Sequence, residues 1–284
     1  MAADEPLIRN ISDTARWVAV YRAQESERRD AHFRDPYARR LAGERGEQIA
    51  KKIRVASKHS WSFVARTYLF DHFIADEIAN GTDVVLNLAA GLDTRPYRMS
   101  LPASLRWFEV DLPEMIAFKT KALGTEKPQC RLERVPLDLA NVAARRALFS
   151  QVGRDAQRVI VVSEGLVLYL TPEEVGALAT DLAAPASFQR WIVDLASPGL
   201  LSMMQQQMAA PLIDAGVPFK FAPAEGPGFF TRYGWRPRVV RSMMKTAAKL
   251  RRLPLMMRPF AWLPESNGAQ GSRPWSGACL LERT

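Results

Sequence analysis

From residue 81 onward the apolar positions come in short runs, at 83–88, 105–110, 131–135, 158–163 and 190–195. Between them lie longer stretches that read as helix. Strands alternating with helices predict a parallel sheet covered on both faces. The helix starts are well marked. Pro113 follows the run ending "FEVDL", "TPEE" at 171–174 is a capping box with Pro172 at the first helical position, and "SPG" at 197–199 opens another helix. Residues 6–80 read instead as helical throughout, with a break at "FRDPYARRL" around Pro36. Their last helix, Lys58 to Ala79, stops at Asn80-Gly81, a pair suited to a left-handed cap. After Ala196 the alternation lapses through "MMQQQMAAPL" and "GPGFFTRYGW". It resumes near Trp235, with a helix expected over 238–252 and a last strand "SGACLLER". The pattern predicts one α/β domain with three parts: a helical cap over 1–80, a sheet core over 81–196 and 235–284, and a lid or substrate wall over 197–234.

The length, 284 residues, supports one substantial core. No apolar run approaches the roughly 20 residues needed to cross a bilayer, and the opening "MAADEPLIRN" is too polar for a secretory signal. Two distant cysteines, Cys130 and Cys279, lack metal-ligand spacing, so the expectation is a cytoplasmic protein with inert thiols and no metal. The formal charge of +9 equals the nine Lys and Arg residues between Arg232 and Arg258, a segment without Asp or Glu. It leaves acidic small molecules and nucleic acid both open.

Candidate chemistry concentrates at the ends of the runs, where a parallel sheet places its ligands. The first run enters "LNLAAGLDTR", whose small residues let backbone approach a ligand. A dinucleotide fingerprint would want glycine at 89, 91 and 94; the chain has Ala89, Gly91 and Thr94. Asp93 also puts a carboxylate where a pyrophosphate would lie. An acidic turn suits the sulfonium and ammonium of S-adenosyl-L-methionine better, although plain strand-to-helix packing also uses such a turn.

The second run ends in Asp111, 20 residues beyond Gly91, the offset at which an acid grips a ribose. Asp111 can equally cap the helix opened by Pro113. The third ends at Asp138 and Leu139, placed to meet an adenine. The fourth ends at Glu164, costly to bury unless it faces a cleft. Asp93, Asp111, Asp138 and Glu164 thus fall at one edge of the sheet. On the helix before the sheet, Arg66 shares a face with Phe63, Phe70 and Ile74 and has no acid three or four residues away. It needs an anion from elsewhere: a donor carboxylate, or a structural ion pair.

With these residues in place the sequence resembles the leucine carboxyl methyltransferase family, in its bacterial branch of S-adenosyl-L-methionine-dependent methyltransferases. The motifs are "FRDPYA", "ARTYLFD", "NLAAGLDTRPYR", "FEVDLPEMIAFK", "PLDL" and "SEGLVLYL", in the family's order over most of the chain. The resemblance implies the class I methyltransferase fold, a Rossmann-like seven-stranded sheet with one antiparallel late strand. It also implies that Arg66 binds the donor carboxylate, Gly91 lines the methionyl part, and Asp111 grips the ribose. Asp138 and Leu139 would meet adenine, and Glu164 would close the methionyl end. Asn87 and Ala89 stand where the wider methyltransferase pattern often has an acid and its first glycine.

These residues point to an O-methyltransferase acting on a carboxylate or hydroxyl of a small metabolite. Trp17 and Tyr21, one turn apart on the first helix, and Tyr169 are candidate acceptor contacts, the first two alternatively core aromatics. Of the three histidines, His72 lies on a helix stripe with Tyr68 and Ala75 and reads as a core residue rather than a base. The alternative is a nucleic-acid methyltransferase using a basic stripe of Arg238, Arg241, Lys245, Lys249 and Arg252 on the expected helix. The stripe lacks interleaved aromatics. A small-molecule acceptor and no membrane partner is the reading carried forward.

Overall fold

The computed structural model describes residues 11–52, 60–214, 218–264, 271 and 273–284, with only the backbone of 11–12 and 207–214. Seven strands form one sheet in the order β3-β2-β1-β4-β5-β7-β6. They are β1 (Val84–Leu88), β2 (Arg106–Asp111), β3 (Arg131–Pro136), β4 (Val159–Ser163), β5 (Phe188–Ala196), β6 (Trp235–Ser242) and β7 (Ser276–Arg283). The first five run parallel, and β7 runs antiparallel between β5 and β6. The order reverses between β1 and β4, so the carboxyl ends of these two strands open a crevice for a ligand.

The sequence pattern is that of a sheet covered twice. β1 and β4 are buried along their whole length. Their successive side chains go to opposite faces: Val84, Leu86 and Leu88 to a core with Leu178, Leu182 and Trp191, and Val85 to a core with Phe70, Ile74 and Trp107. The helices are α1 (Ile11–Ser26), α2 (Ala38–Lys52), α3 (Ser60–Ala79), the one-turn α4 (Arg95–Arg98), α5 (Pro113–Leu123), α6 (Val142–Arg154), α7 (Pro172–Ala183), α8 (Pro198–Asp214) and α9 (Met243–Lys249). The capping box of α7 forms as its sequence demands: Thr171 accepts from the Glu174 amide and Glu174 accepts from the Thr171 amide. α1 packs on α2 and against α3, so that residues Thr14 to Val18 reach the carboxyl edge of the sheet. Residues 58 and 59, at the start of the expected third helix, lie outside the described residues.

Two expectations fail. The helix expected over 238–252 is instead strand β6 followed by the short α9. Val239 and Val240 pair with β7, while Pro237, which has no amide to donate, sits where the register shifts at the sheet edge. Ser242 then caps α9 by accepting from the Lys245 amide. The basic stripe therefore does not exist. Arg238 pairs with Glu282 from the strand, and Arg252 is held by Glu25 and Asp30 of the cap. His72, expected in the core, is exposed and donates from Nδ1 to the Tyr68 carbonyl 2.7 Å away.

Candidate active site

A cavity of about 710 Å³ lies at the carboxyl edge of the sheet, bordered by α1, α3, α8 and residues 219–221. Its floor is the turn after β1. Ala89 and Gly91 both take left-handed backbone angles, φ 49° and 47°. A Cβ on Gly91 would press to 3.4 Å from the Ala15 side chain of α1, so glycine lets the cap close on the turn. Ala89 bears the strain of that conformation where a glycine would not.

The four acids picked out at the strand ends all line this cavity, and so do Arg66, Gly91 and Leu139. They do not sit there in the same way. Asp111 accepts from the Gly91 amide at 2.6 Å and the Leu112 amide at 2.7 Å, fixing the β1 turn to the end of β2. Burial pushes its carboxyl up from the ordinary aspartate range, against these two hydrogen bonds. Asp138 accepts from the Ala140 amide at 2.9 Å and is exposed. Arg145, buried and bonded to Asp181, donates to the Leu139 carbonyl at 3.0 Å and so sets the loop after β3.

Around β1, β4 and β5 the acids are held by guanidinium groups. Arg66 donates from Nε to Glu164 at 3.0 Å and from Nη1 to Asp194 at 3.1 Å. Arg95, almost fully buried, reaches Asp71 at 2.7 Å, Asp93 at 2.8 Å and Glu164 at 2.8 Å. Arg98 completes the group through Asp71. Four carboxylates against three guanidinium groups leave this network one charge negative. Desolvation works against every charge here, yet the arginines beside Asp71 and Asp93 hold both carboxyls below the ordinary range. Asp93 also accepts from Nδ2 of the Asn87 side chain and from the Arg95 backbone amide, so it ties the turn together as well as facing the cavity.

Arg66 therefore has the ion partners that its own helix lacks, both from strand ends. Asp194, Arg95 and Arg145 are the site residues that sequence reasoning missed. Asp194 carries the signal used for the other acids, a carboxylate at the end of an apolar run, in "RWIVDLA". Arg95 and Arg145 carry little local signal, because their partners Asp71, Glu164 and Asp181 lie 24 to 69 residues away on other elements.

The far wall is apolar. Trp17, Trp61, Met203, Met204, Phe219 and Phe221 line it, drawn from α1, α3, α8 and the lid. Tyr169 lines it too, its phenol pushed up by burial. Tyr21 does not border the cavity: it lies behind Trp17, stacked on Phe63 at 5.1 Å, and accepts from the Trp17 indole at 2.9 Å. It packs the core that supports the wall. Among the described residues no histidine lines the cavity.

A zwitterionic sulfonium nucleoside fits these residues. A net-negative network would suit its cationic centres, a backbone turn at Gly91 permits close approach, and Asp111 keeps lone pairs that hydroxyl donors could use. The model of the leucine carboxyl methyltransferase family matches residues 15–183, more than half of the chain. A protein from Frankia alni, provisionally named an S-adenosyl-L-methionine-dependent methyltransferase, is 35% identical over 260 residues, covering 83% of this chain and 87% of its own. One of the same description from Streptomyces avermitilis is 31% identical, covering 78% and 82%. The crystal structure of a DUF574 family protein from S. avermitilis superposes with a TM-score of 0.62 at 15% identity, over 95% of this chain and 97% of that one. The chain has the class I methyltransferase fold and belongs to the leucine carboxyl methyltransferase family.

Proposed function

We propose that the protein methylates a carboxylate or hydroxyl oxygen of a small acceptor with an apolar body. By family it is an S-adenosyl-L-methionine-dependent methyltransferase. The observation that carries the acceptor reading is the cavity's division into a charged rim of strand ends and an apolar wall with few polar groups.

In this reading Arg66 presents the Nη2 edge left by its two ion pairs to the donor carboxylate, while Glu164 and Asp194 face the ammonium. Gly91 offers backbone to the methionyl chain, and Asp93 keeps the turn in place. Asp111 accepts from the ribose hydroxyls. Asp138 accepts from the adenine amine, and Leu139, set by Arg145, packs on the ring. The bound donor supplies a methyl group already activated for in-line displacement. The protein's own task is then alignment and water exclusion. Trp17, Met203, Met204 and Phe219 do both by closing an apolar surface around the acceptor. A carboxylate acceptor is ionised at neutral pH and needs no base, which suits a cavity that no histidine among the described residues lines. Tyr169, held neutral by burial, orients the acceptor by donating a hydrogen bond. Two buried free thiols accord with a cytoplasmic setting, and burial pushes the Cys130 thiol up to about 11.

Incubation with methyl-labelled donor and a cell extract, followed by solvent extraction and mild alkali, tests the proposal. Label should enter an extractable small product, and release as volatile methanol marks a methyl ester. Label confined to RNA or protein precipitate contradicts it.

A further inference from the structure

Of the six large apolar side chains exposed among the described residues, five lie within residues 255–263: Leu255, Met256, Phe260, Trp262 and Leu263. Met256 and Trp262 are 89% and 88% exposed, values for side chains in open solvent. The segment Leu255–Trp262 is a 3-10 helix, in which residues three apart eclipse. Met256, Pro259 and Trp262 form such a row, and all three are exposed. The segment is anchored from below: Ala261 and Leu253 are buried against Trp61, Ala65, Met243 and Ala247. Around it Lys249, Arg251 and Arg258 are exposed, with no acid between Arg232 and Arg258.

We infer that this segment docks on an anionic lipid surface. A bilayer interface takes aliphatic and aromatic side chains together and places Trp at the headgroup level. Neighbouring Lys and Arg add attraction to anionic headgroups. Two other occupants match less of the patch. A nucleic acid would use the basic groups and two aromatic faces, but would strand Leu255, Met256 and Leu263. A second copy meeting this one across a two-fold axis would set Lys249, Arg251 and Arg258 against their own copies. No helix among the described residues is long and apolar enough to cross a membrane, so the contact is superficial.

The packing beneath gives the surface a use. Trp61 and Met243, which anchor the segment, also line the cavity. An apolar acceptor concentrates in a bilayer, and the docked segment would lie on the wall that receives it. That link rests on the proposed function; the lipid contact does not.

The test is flotation of the full chain with vesicles of phosphatidylcholine alone and of equimolar phosphatidylcholine and phosphatidylglycerol. The expected result is binding to the anionic vesicles that weakens with added salt. The combined variant Met256→Ser, Phe260→Ser, Trp262→Ser should bind at least on the order of tenfold more weakly. The variant Lys249→Glu, Arg251→Glu, Arg258→Glu should lose binding to anionic vesicles by a similar factor. Both variants should bind S-adenosylhomocysteine as the parent does, which separates this test from the donor site. Failure of the parent to float with anionic vesicles overturns the inference. So does binding of an RNA oligonucleotide, or a concentration-dependent dimer, that the apolar variant abolishes while vesicles remain unbound.

Discussion

The two ends of the cavity rim are both lined with carboxylates, yet they hold them by different means. Around β1, β4 and β5, Asp71, Asp93, Glu164 and Asp194 are clamped by Arg66, Arg95 and Arg98. Around β2 and β3, Asp111 and Asp138 accept from backbone amides. Of the clamped acids, Asp71 and Asp93 are held below the ordinary range by their arginines; of the amide-held acids, the buried Asp111 keeps free lone pairs and desolvation pushes its carboxyl up. In the proposed reading the first end serves mainly rigidity and the second a ligand's hydroxyl and amine groups.

The largest way to break this contrast is to remove the shared cation. Arg95→Ala leaves Asp71, Asp93 and Glu164 without a partner that is itself 3% exposed. Breaking a buried pair costs about 3–5 kcal/mol, to be read as a lower urea midpoint. A loss within experimental error would show that the clamp does not stabilise the fold.

Exchanging single acids sharpens the contrast. Asp93→Asn should destabilise the ligand-free protein by about 1–3 kcal/mol, the cost of losing hydrogen bonds between charged groups. Asp111→Asn removes a carboxylate whose ionised form the fold disfavours but keeps only one of its two amide hydrogen bonds, so the ligand-free protein should lose less stability than with Asp93→Asn. Equal destabilisation by both changes would erase the distinction.

The same pair sets the pH dependence. Asp71 and Asp93 have folded pKa values below the ordinary range. Their stabilisation is complete above the unfolded value near 3.9 and drains away as pH falls toward the folded values. Asp111 is raised, so its contribution is present below the unfolded value and lost as pH rises through the folded one. Urea titrations across this range should show the stability of Asp111→Asn relative to the parent falling as the solution is acidified. A relative stability that rises with acid would contradict the assignment.

The smallest expected effect is at the turn. Ala89→Gly relieves a left-handed alanine but frees the unfolded chain. The net gain should be about 0.5 kcal/mol, measured by thermal melting, and a loss would mean that Ala89 is not strained.

How much of this the sequence shows depends on whether a signal is local. The strands through β5 announce themselves as apolar runs, and their terminal acids follow by position. Asp111 and Glu164 are legible for that reason. Arg95 and Arg145 are not, because what makes them important is a partner brought by another element. The basic segment after Trp235 misleads in the opposite way. Its charges recur at helical intervals, but pairing with β7 and the break at Pro237 override that pattern. Ser242 as a helix cap was the local sign of the boundary. Tyr21 shows the limit for the acceptor wall: one helix face serves both cavity and core, and only packing separates Trp17 from the tyrosine one turn on.

The central claim is that this rim, with Asp111 at the nucleoside end, binds a sulfonium nucleoside. Calorimetric titration of S-adenosylhomocysteine into the parent and Asp111→Asn proteins tests it most directly. Saturable single-site heat is expected with the parent, and affinity at least on the order of tenfold weaker, about 1.4 kcal/mol, in a variant that remains folded at the assay temperature. No saturable heat from the folded parent, or equal affinity in the two proteins, would contradict it.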